Sequence, residues 1–459
     1  MFEREESKQA GVETSTERVT FITILRNRNF RNLWFGQVIS QMGDYFAFLA
    51  IMVVVGTFSN DVAVTTQQVS GVMIATTLPR LLFGILAGVF VDRWDRRLTM
   101  LASDLIRPAL TLAMIPAFLT RNLWLMYFLA FAQSAVGTFF NPAKGALIPK
   151  LVPPEQLTAA NALSQTSMTM AFVLGPVLAG GTFFVLGAGN EWIAFVLDSA
   201  SYLISAVAIW KLRLPKEATN PAPEMPTEGG GFARVGKELV IGVKALAFNK
   251  VMATLSVVFG ITMLGVGALN VLWVSFLKSE YGITESGELG WRFAVIDTAF
   301  FAGMVIASVA VGNLLSNRKP KEFVVWGLVI AGLATIPIGY LPSYWLVVAV
   351  MFVVGLAIAP INTGVMTLMQ IVVPNNQLGR VGGGIGTISD TASLGSMGLA
   401  GLLGSVIGIP LVFLLSGVMC VLGGTVALIG LPALTLADKL EDTGDASPFG
   451  AETQVAQVA

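Results

Sequence analysis

Twelve apolar stretches, each long enough to cross a bilayer as a helix, restrict the possible folds of this chain more than any other feature. Crossing about 30 Å of hydrocarbon takes roughly 20 apolar residues, and in lipid the backbone must satisfy its own hydrogen bonds. We therefore predict an all-α membrane protein with twelve transmembrane helices. The stretches lie at 33–57, 69–91, 98–119, 123–142, 160–187, 192–213, 251–277, 293–315, 323–341, 344–370, 381–407 and 410–436.

Composition agrees with burial in lipid, because 54% of the residues are hydrophobic and only 12% are charged. That is roughly half the charged fraction of an ordinary soluble protein. The net charge of zero gives no indication of nucleic acid, and one cysteine without any histidine excludes disulfides and His-ligated zinc. We expect no metal, no cofactor and no nucleic-acid partner, and we expect carboxylates to carry most of any proton chemistry.

Lysine and arginine residues predict how the helices are oriented. They concentrate in the N-terminal segment and in every second connection, for example at Arg93–Arg97 and at Arg318–Lys321. Cytoplasmic loops carry an excess of these residues. The N-terminal 20 residues are polar, without the apolar core of a cleavable signal peptide. We therefore expect a multi-pass protein of the cell inner (cytoplasmic) membrane with both termini in the cytoplasm.

The connections divide the chain into five expected parts. These are a cytoplasmic N-terminal segment (1–29), a six-helix bundle (30–214), a cytoplasmic linker with a surface helix (215–249), a second six-helix bundle (250–436) and a cytoplasmic tail (437–459). The surface helix is predicted because apolar residues recur at helical spacing from Phe232 to Phe248. The bundles show a weak repeat, since Asn141–Leu157 aligns without gaps to Asn362–Leu378, a shift of 221 residues.

A charged turn separates the second stretch from the third and carries the clearest motif of the chain. It contains Gly88, Asp92, Arg93, Asp95, Arg96 and Arg97. This pattern resembles the signature of the major facilitator superfamily, in which glycine usually stands where this chain has Asp95. The resemblance covers residues 26–436. It implies the major facilitator fold, with twelve transmembrane helices in two six-helix bundles that work as related halves.

In that fold, the resemblance implies that the turn is a gate. Asp92 would face the N-terminus of the eleventh helix, near Leu378–Gly384, where the helix dipole favours a carboxylate. Arg96 or Arg97 would hold Asp92 in place, and the six residues of the turn would stabilise the outward-facing state. The alternative is that these charges only fix the topology. The matching turn of the second half, Gly312–Lys319, lacks the aspartate, so the gate would be one-sided.

Further motifs are similar to those of the bacterial drug:proton antiporter branch, which includes macrolide-efflux and siderophore-export proteins. The form of the charged turn, Gly43-Asp44, Asp104-x-x-Arg107 and Asn141-Pro142-Ala143 share this similarity. The fifth helix also resembles the motif associated with antiporters, through Gly175, Pro176, Gly180 and Gly181. Ala179 replaces one glycine of that motif, which makes the outward direction of transport less secure.

Charged residues inside apolar stretches are functional candidates, because each is costly in lipid. Asp44 lies near the middle of the first stretch, Asp390 is similarly deep in the eleventh, and Asp104 lies one helical turn before Arg107. We predict Asp44, Asp104 and Asp390 as proton-coupling residues. A helix–helix hydrogen bond for Asp44 and a mutually neutralising pair for Asp104 and Arg107 are the alternatives.

Arg80 of the second stretch lies at a depth comparable to Asp44, so we expect Arg80 and Arg107 to supply the bases of one charge cluster with Asp44 and Asp104. Asp198 and Asp297 lie nearer the outer helix ends, where we expect solvated or capping roles.

Aromatic and methionine side chains could line an apolar cavity: Phe46, Phe48, Phe131, Phe139, Phe140, Met263, Met366 and Met369.

The resemblance implies a secondary active transporter, a monomer in contact with membrane lipid. It would move an apolar or amphipathic small molecule (drug, macrolide-like or siderophore-like) outward in exchange for protons, by alternating access. A lipid or nutrient carrier of the same fold and a non-transporting membrane sensor are the alternatives. We do not expect an enzyme, because no nucleophile–base or metal constellation is visible in the sequence.

Overall fold

The computed structural model describes residues 21–213, 249–314, 318–374 and 377–434, and regular structure in these ranges is entirely helical. The first half comprises α1 (Phe21–Arg26), α2 (Arg28–Gly56), α3 (Val62–Arg93), α4 (Arg96–Leu119), α5 (Leu123–Leu147), α6 (Leu157–Leu186) and α7 (Trp192–Trp210). The second half comprises α8 (Lys250–Tyr281), α9 (Ser286–Leu314), α10 (Pro320–Thr335), α11 (Tyr344–Val372), α12 (Leu378–Val406) and α13 (Ile409–Gly430).

Each predicted stretch coincides with one of the helices α2 to α13. In the described ranges, ten segments are long and apolar enough to cross a membrane. Two long helices, α3 and α12, are not among those ten. An all-helical membrane fold is therefore observed, whereas the number of twelve crossings stays a prediction. The predicted surface helix at 232–248 and the tail at 437–459 lie outside the described residues.

Short polar side chains determine where several helices begin. Asn27, Asp61, Asp95, Asn122 and Asn249 precede α2, α3, α4, α5 and α8, and each accepts hydrogen bonds from backbone N–H groups of the first helical turn. An N-cap of this kind satisfies donors that have no partner within the helix. The helices consequently start in the polar connections, several residues before the apolar stretch in the case of α2 and α3.

The second half repeats the helix arrangement of the first. Helices α5 and α11 begin at Leu123 and Tyr344, and α6 and α12 begin at Leu157 and Leu378, so both pairs of starts are 221 residues apart. Packing partners repeat as well: α2–α7, α3–α5 and α4–α7 correspond to α8–α13, α9–α11 and α10–α13. The main contacts between halves, α3–α12 and α6–α9, are also equivalent under this shift.

Three hydrophobic clusters show where the halves meet. A shared cluster combines side chains of both halves, among them Val54 and Phe183 with Phe276 and Phe413. It lies at the end of the bundle that carries the α2–α3, α8–α9 and α12–α13 connections, which we name the closed end. At the opposite, open end, one cluster draws only on residues 24–212 and another only on residues 251–431. The halves are thus joined at one end and have separate cores at the other.

Candidate substrate cavity and charge cluster

A cavity of 560 Å³ lies between the two halves. Its wall is mainly apolar and includes Phe48, Trp273, Phe300 and Met351 from four different helices. A few polar groups interrupt this surface, which is the usual construction of a small-molecule site of this size. Of the eight aromatic and methionine side chains predicted for such a cavity, Phe48 and Phe140 are found in its wall.

Asp44 is a carboxylate in the wall of this cavity, with 42% of its side chain exposed. Arg107 of α4 donates to its Oδ1 from Nη2 at 2.7 Å, and the Tyr202 hydroxyl of α7 donates to the same oxygen. The guanidinium carbon of Arg107 lies 3.9 Å from the centre of the Tyr202 ring. Asp44 and Arg107 also line a second cavity of 470 Å³ within the first half. This ion pair therefore separates the two cavities.

Two further carboxylates lie behind this pair and are fully buried. Asp104 Oδ1 is 3.8 Å from Arg107 Nη1, as its i,i+3 spacing suggested. Asp198 accepts from Thr111 at 3.3 Å and from the Gln133 amide at 3.4 Å. The expected solvated or capping role of Asp198 is wrong, because α7 turns this face toward α2, α4 and α5 and not toward the membrane surface.

The glycine next to Asp44 makes this arrangement possible. A Cβ atom at Gly43 would lie 2.0 Å from Ser201 Oγ and 2.8 Å from Asp198 Oδ1. Real Cβ atoms do not approach other atoms so closely, so α7 can pack against α2 at this level only where α2 lacks a side chain. Gly43 thus brings Asp198 directly behind Asp44.

Arg80 does not join this cluster, contrary to the prediction. Its Nε and Nη2 donate to the two carboxylate oxygens of Asp390 at 3.0 and 2.6 Å, across the α3–α12 contact between the halves. Such a bidentate pair is the strongest geometry open to arginine and a carboxylate. The reason for the difference is rotation: Arg80 has the depth of Asp44, but it lies on the face of α3 that meets α12.

Asp297 also bridges the halves. It accepts a hydrogen bond from the Tyr45 hydroxyl of α2, and both residues line the central cavity. The expected capping or solvated role of Asp297 is therefore wrong. Since Tyr45 follows Asp44 directly, one turn of α2 presents adjacent side chains to Arg107 in its own half and to Asp297 in the other.

The glycines of the antiporter-like motif lie along α6, and they differ in how closely neighbouring helices pack against them. A Cβ at Gly175 would lie 2.9 Å from Cβ of Tyr45, and a Cβ at Gly180 would lie 2.4 Å from Cβ of Ala294 in α9. Pro176 is buried within the helix. A Cβ at Gly181 would meet no atom of the described structure within 4 Å. Two of the glycines thus permit close helix contacts, and that of Gly180 is a contact between halves.

The charged turn lies at the open end, and only two of the residues in this segment, Trp94 and Asp95, lie between α3 and α4. Asp95 caps α4, since its side chain accepts from the backbone N–H of Leu98 at 2.9 Å. Arg97 donates from Nε to the carbonyl of Ile209 at 3.2 Å and from Nη2 to that of Trp210. A cation is favoured at the C-terminal end of a helix. Arg97 therefore holds the end of α7.

The other residues predicted for the gate are placed as follows. Arg93 is exposed and Arg96 is buried. A Cβ at Gly88 would meet nothing within 4 Å in the described ranges. The Asp92 side chain, like those of Gly379 and Arg380 near the start of α12, lies outside what the structure describes. The contact between Asp92 and α12 therefore stays a prediction.

Polar contacts at the closed end also join the halves. The buried Lys278 of α8 donates from Nζ to the carbonyls of Gly56 and Ser59 at 2.9 and 2.6 Å and to Thr65 Oγ1 at 3.2 Å. Thr66 and Ser275 are linked by a hydrogen bond of 2.7 Å between their hydroxyls. These bonds hold α8 against the end of α2 and the start of α3.

The sequence matches the family described as "transmembrane secretion effector" over residues 19–446. The chain belongs to this family of major facilitator transporters. The uncharacterized MFS-type transporter YkuC of Bacillus subtilis (strain 168) is 30% identical over 364 residues, covering 78% of this chain and 82% of YkuC. Macrolide efflux protein A of Streptococcus pyogenes is 26% identical over 397 residues, covering 85% and 93% of the two chains.

Solved structures agree on the fold. A bacterial homolog of the human lysosomal transporter Spinster, in an inward-facing and unoccupied conformation, superimposes with a TM-score of 0.67 at 14% identity. This match covers 88% of this chain and 97% of the homolog. A bacterial homologue of the iron transporter ferroportin in an inward-facing state gives 0.63 at 16% identity, covering 88% and 98%. The chain therefore has the major facilitator fold.

Some residues that complete the site were not found from the sequence. Tyr202 and Gln133 lie in apolar stretches and attract no notice by charge, although a membrane-embedded polar group usually needs a partner. Lys278 is a further residue of this kind. Its position at the end of an apolar stretch was the available signal, but the sequence does not show which backbone carbonyls face it.

Proposed function

We propose that the protein is a secondary active transporter of the inner membrane that exports an apolar or amphipathic small molecule in exchange for protons. The observation that carries this proposal is the Asp44–Arg107 ion pair in the wall of an apolar cavity between the halves. A charge pair at this depth in the membrane is costly, and such pairs therefore usually mark functional sites. In a cavity that is otherwise apolar, it couples the state of a carboxylate to whatever occupies the cavity.

Alternating access follows from the arrangement of the clusters. The halves share one core at the closed end and have separate cores at the open end. Rocking one half against the other would part the shared cluster and bring the separate ones together. If both termini are cytoplasmic, the open end faces the cytoplasm and the described arrangement is inward-facing. The charged turn at Gly88–Arg97, with Asp92 on α12, would then stabilise the outward-facing state.

The proposed substrate class follows from the cavity wall. Aromatic and aliphatic side chains would cover the apolar body of a substrate, and Asp44, Asp297 and Lys144 would contact its few polar groups. The name of macrolide efflux protein A supports an exported, drug-like molecule. A siderophore-like molecule belongs to the same class of amphipathic compounds.

Proton coupling is assigned to carboxylates. A proton on Asp44 would remove the charge that binds Arg107, and a proton on Asp390 would release Arg80 from the contact between halves. Asp104 would take part through Arg107. One proton entering down 100 mV supplies about 2.3 kcal/mol from the potential alone. That is enough to change the ratio of two states by more than tenfold.

A resistance panel in a pump-deleted bacterium tests this function. Cells expressing the wild type should tolerate more of at least one apolar or amphipathic compound than cells carrying an empty vector. Asp44→Asn should reduce tolerance to the empty-vector level at equal membrane abundance. Asp61→Asn is the matched control, because Asp61 is an exposed cap at the closed end and asparagine also caps helices.

Transport in membrane vesicles decides the direction. In inverted vesicles acidified inside, the exporter should accumulate the compound identified in the panel, and collapse of the proton gradient should stop this. Proton-driven uptake into right-side-out vesicles would instead indicate a lipid or nutrient carrier. Resistance and transport that are identical for wild type, Asp44→Asn and empty vector would indicate a non-transporting sensor.

A further inference from the structure

Around a single guanidinium, the first half contains more carboxyl groups than cations, and two of the carboxyl groups are fully buried. Three carboxyl groups, Asp44, Asp104 and Asp198, surround Arg107. Lys144 of α5 lines the same central cavity, and with it the cations still number two against three. An isolated ionised carboxylate in a membrane interior costs several kcal/mol or more. At least one of the three therefore has to carry a proton.

The contacts identify which carboxyl that is. Asp44 has the guanidinium at 2.7 Å, and Asp104 has it at 3.8 Å. The side chain of Asp198 accepts hydrogen bonds only from uncharged groups among the described residues, the Thr111 hydroxyl and the Gln133 amide, at 3.3 and 3.4 Å. Its Oδ1 is buried and lacks a hydrogen-bond partner in the same ranges. Both oxygens of Asp104 also lack a hydrogen-bond partner there, but Asp104 has the guanidinium of Arg107 nearby. Of the three carboxyls, Asp198 is the one that no cation contacts.

The same oxygen is placed where an added proton would find an acceptor. Oδ1 of Asp198 and the hydroxyl of Ser201 both lie within 3 Å of the point that a Gly43 Cβ would occupy. A protonated carboxyl has one O–H donor, and a serine hydroxyl can accept it. Because the Ser201 hydroxyl already donates to the backbone carbonyl of Asp198 at 2.7 Å, it could partner Oδ1 only as an acceptor, after a small rotation of either side chain.

We propose that Asp198 is a proton-binding site, and that it holds its proton as long as Arg107 is paired with Asp44. A proton that binds Asp44 from the cavity forms an O–H bond there and leaves Arg107 without a counter-charge. Asp198 then loses its proton to water in the cavity of the first half, which Gln133 and Tyr202 line, and becomes the carboxylate that balances Arg107. One proton is gained and one is released, so the charge of the cluster does not change.

The geometry provides the connection between the two sites. The Tyr202 hydroxyl donates to Asp44 and accepts from Arg107, and the Gln133 amide donates both to Tyr202 at 3.2 Å and to Asp198. Rotation of the Tyr202 and Gln133 side chains would couple protonation of Asp44 to loss of the proton from Asp198. Such a site deepens the proposed proton coupling and rests on that function for its role in transport. Its protonation state can be measured without transport.

Infrared spectroscopy of the full-length protein near neutral pH tests the site directly. A protonated carboxyl absorbs above the amide I band, whereas a carboxylate does not, and a maltoside detergent contributes no ester carbonyl to this region. Compared with the wild type, Asp198→Asn should lose the absorption of one carboxyl group. Asp61→Asn should lose none, because the Asp61 side chain is exposed to solvent.

The Asp44→Asn variant provides the sharper comparison. It removes a carboxylate that does not absorb in this region. It should nevertheless lower the band of the protonated carboxyl, because Asp198 then loses its proton and becomes the partner of Arg107. If Asp198→Asn does not accumulate, Asp104→Asn decides in its place, because the band of Asp198 should persist in that variant. A band that is unchanged in Asp198→Asn and Asp44→Asn, lost in Asp104→Asn, or absent from the wild type overturns the proposal. Since no substrate or gradient is needed, this outcome is independent of whether export is observed.

Discussion

Arg80 and Asp390 are the charged residues that link α3 to α12 between the halves, and they lead to the first prediction. Substituting Arg80→Gln leaves Asp390 without its bidentate partner. Because 63% of the Arg80 side chain is exposed, the pair is screened and contributes about 1 kcal/mol or less. We expect the equilibrium to shift by up to about fivefold toward opening of the closed end. The shift is measured as the labelling rate of a cysteine introduced at the buried position Ser275, at the closed end, after Cys420→Ala has removed the native thiol.

Charge exchange is the control for this pair. Arg80→Asp combined with Asp390→Arg restores opposite charges across the same contact and should recover most of the closed population. Either substitution alone should not. Recovery that is no better in the double variant than in the single ones would show that the two residues act separately, and the link between α3 and α12 would have to be explained by helix packing alone.

Charged residues in apolar stretches could be found from the sequence, but their partners could not. Asp44, Asp104 and Arg107 stand out by charge, and the i,i+3 spacing placed the last two on one face. The partner of Arg80 depends on how α3 is rotated, which depth in the membrane does not reveal. Asp198 was misjudged for the same reason, since its distance from the helix end says nothing about the helices it faces.

Helix α6 offers two neighbouring glycines with opposite surroundings, which makes a matched test possible. Gly180→Leu would force a side chain against Ala294 of α9, whereas Gly181 faces open space. Overpacking of this kind costs about 1–3 kcal/mol, and only in the closed arrangement. We therefore expect Gly180→Leu to favour opening of the closed end by about tenfold, and Gly181→Leu to leave it unchanged.

The single cysteine simplifies the measurement. Cys420→Ala removes the only thiol of the chain, and Ser275→Cys then places a reporter at a buried position bonded to Thr66. Gly180→Leu should raise the rate at which maleimide labels this reporter. Equal rates in the Gly180 and Gly181 variants would mean that the α6–α9 contact does not control the closed end.

Helices were predictable as elements, and their ends were less so. The apolar stretches identified α2 to α13, but α3 begins at Val62 and not near 69, because Asp61 caps it before the apolar part starts. Hydropathy detects the segment in lipid, while capping decides where the helix begins. The shift of 221 residues seen in a short alignment is reproduced by the starts of α5, α6, α11 and α12.

The relation between the halves is the level at which the sequence is least informative. A repeat and a resemblance predict two bundles. Under the proposed alternating access, however, the same residues must build one state closed at one end and another state closed at the other. Which state is occupied depends on small differences in free energy between contacts at the two ends. The shared cluster and the Lys278 contacts favour the state described, and the charged turn is proposed to favour the other.

Lys278 leads to the prediction for the whole molecule. Its ammonium group crosses from the second half to the carbonyls of Gly56 and Ser59, at the C-terminal end of α2, where a cation is favoured. Lys278→Met cannot donate, so the buried Gly56 carbonyl loses this partner in the closed arrangement, at about 1–3 kcal/mol, while water satisfies it once that end opens. The Ser59 carbonyl keeps the Thr65 hydroxyl at 3.2 Å. We expect about a tenfold shift toward opening.

Spin labels on the α4–α5 and α10–α11 connections, at Arg121 and Pro342, would report the distance between the halves at the closed end. In Lys278→Met a longer distance should gain population relative to the wild type. Lys278→Arg keeps both charge and donors and should resemble the wild type. If all three proteins give the same distances, the buried lysine does not hold the halves together, and the closed end depends on its hydrophobic cluster and its close glycine contacts.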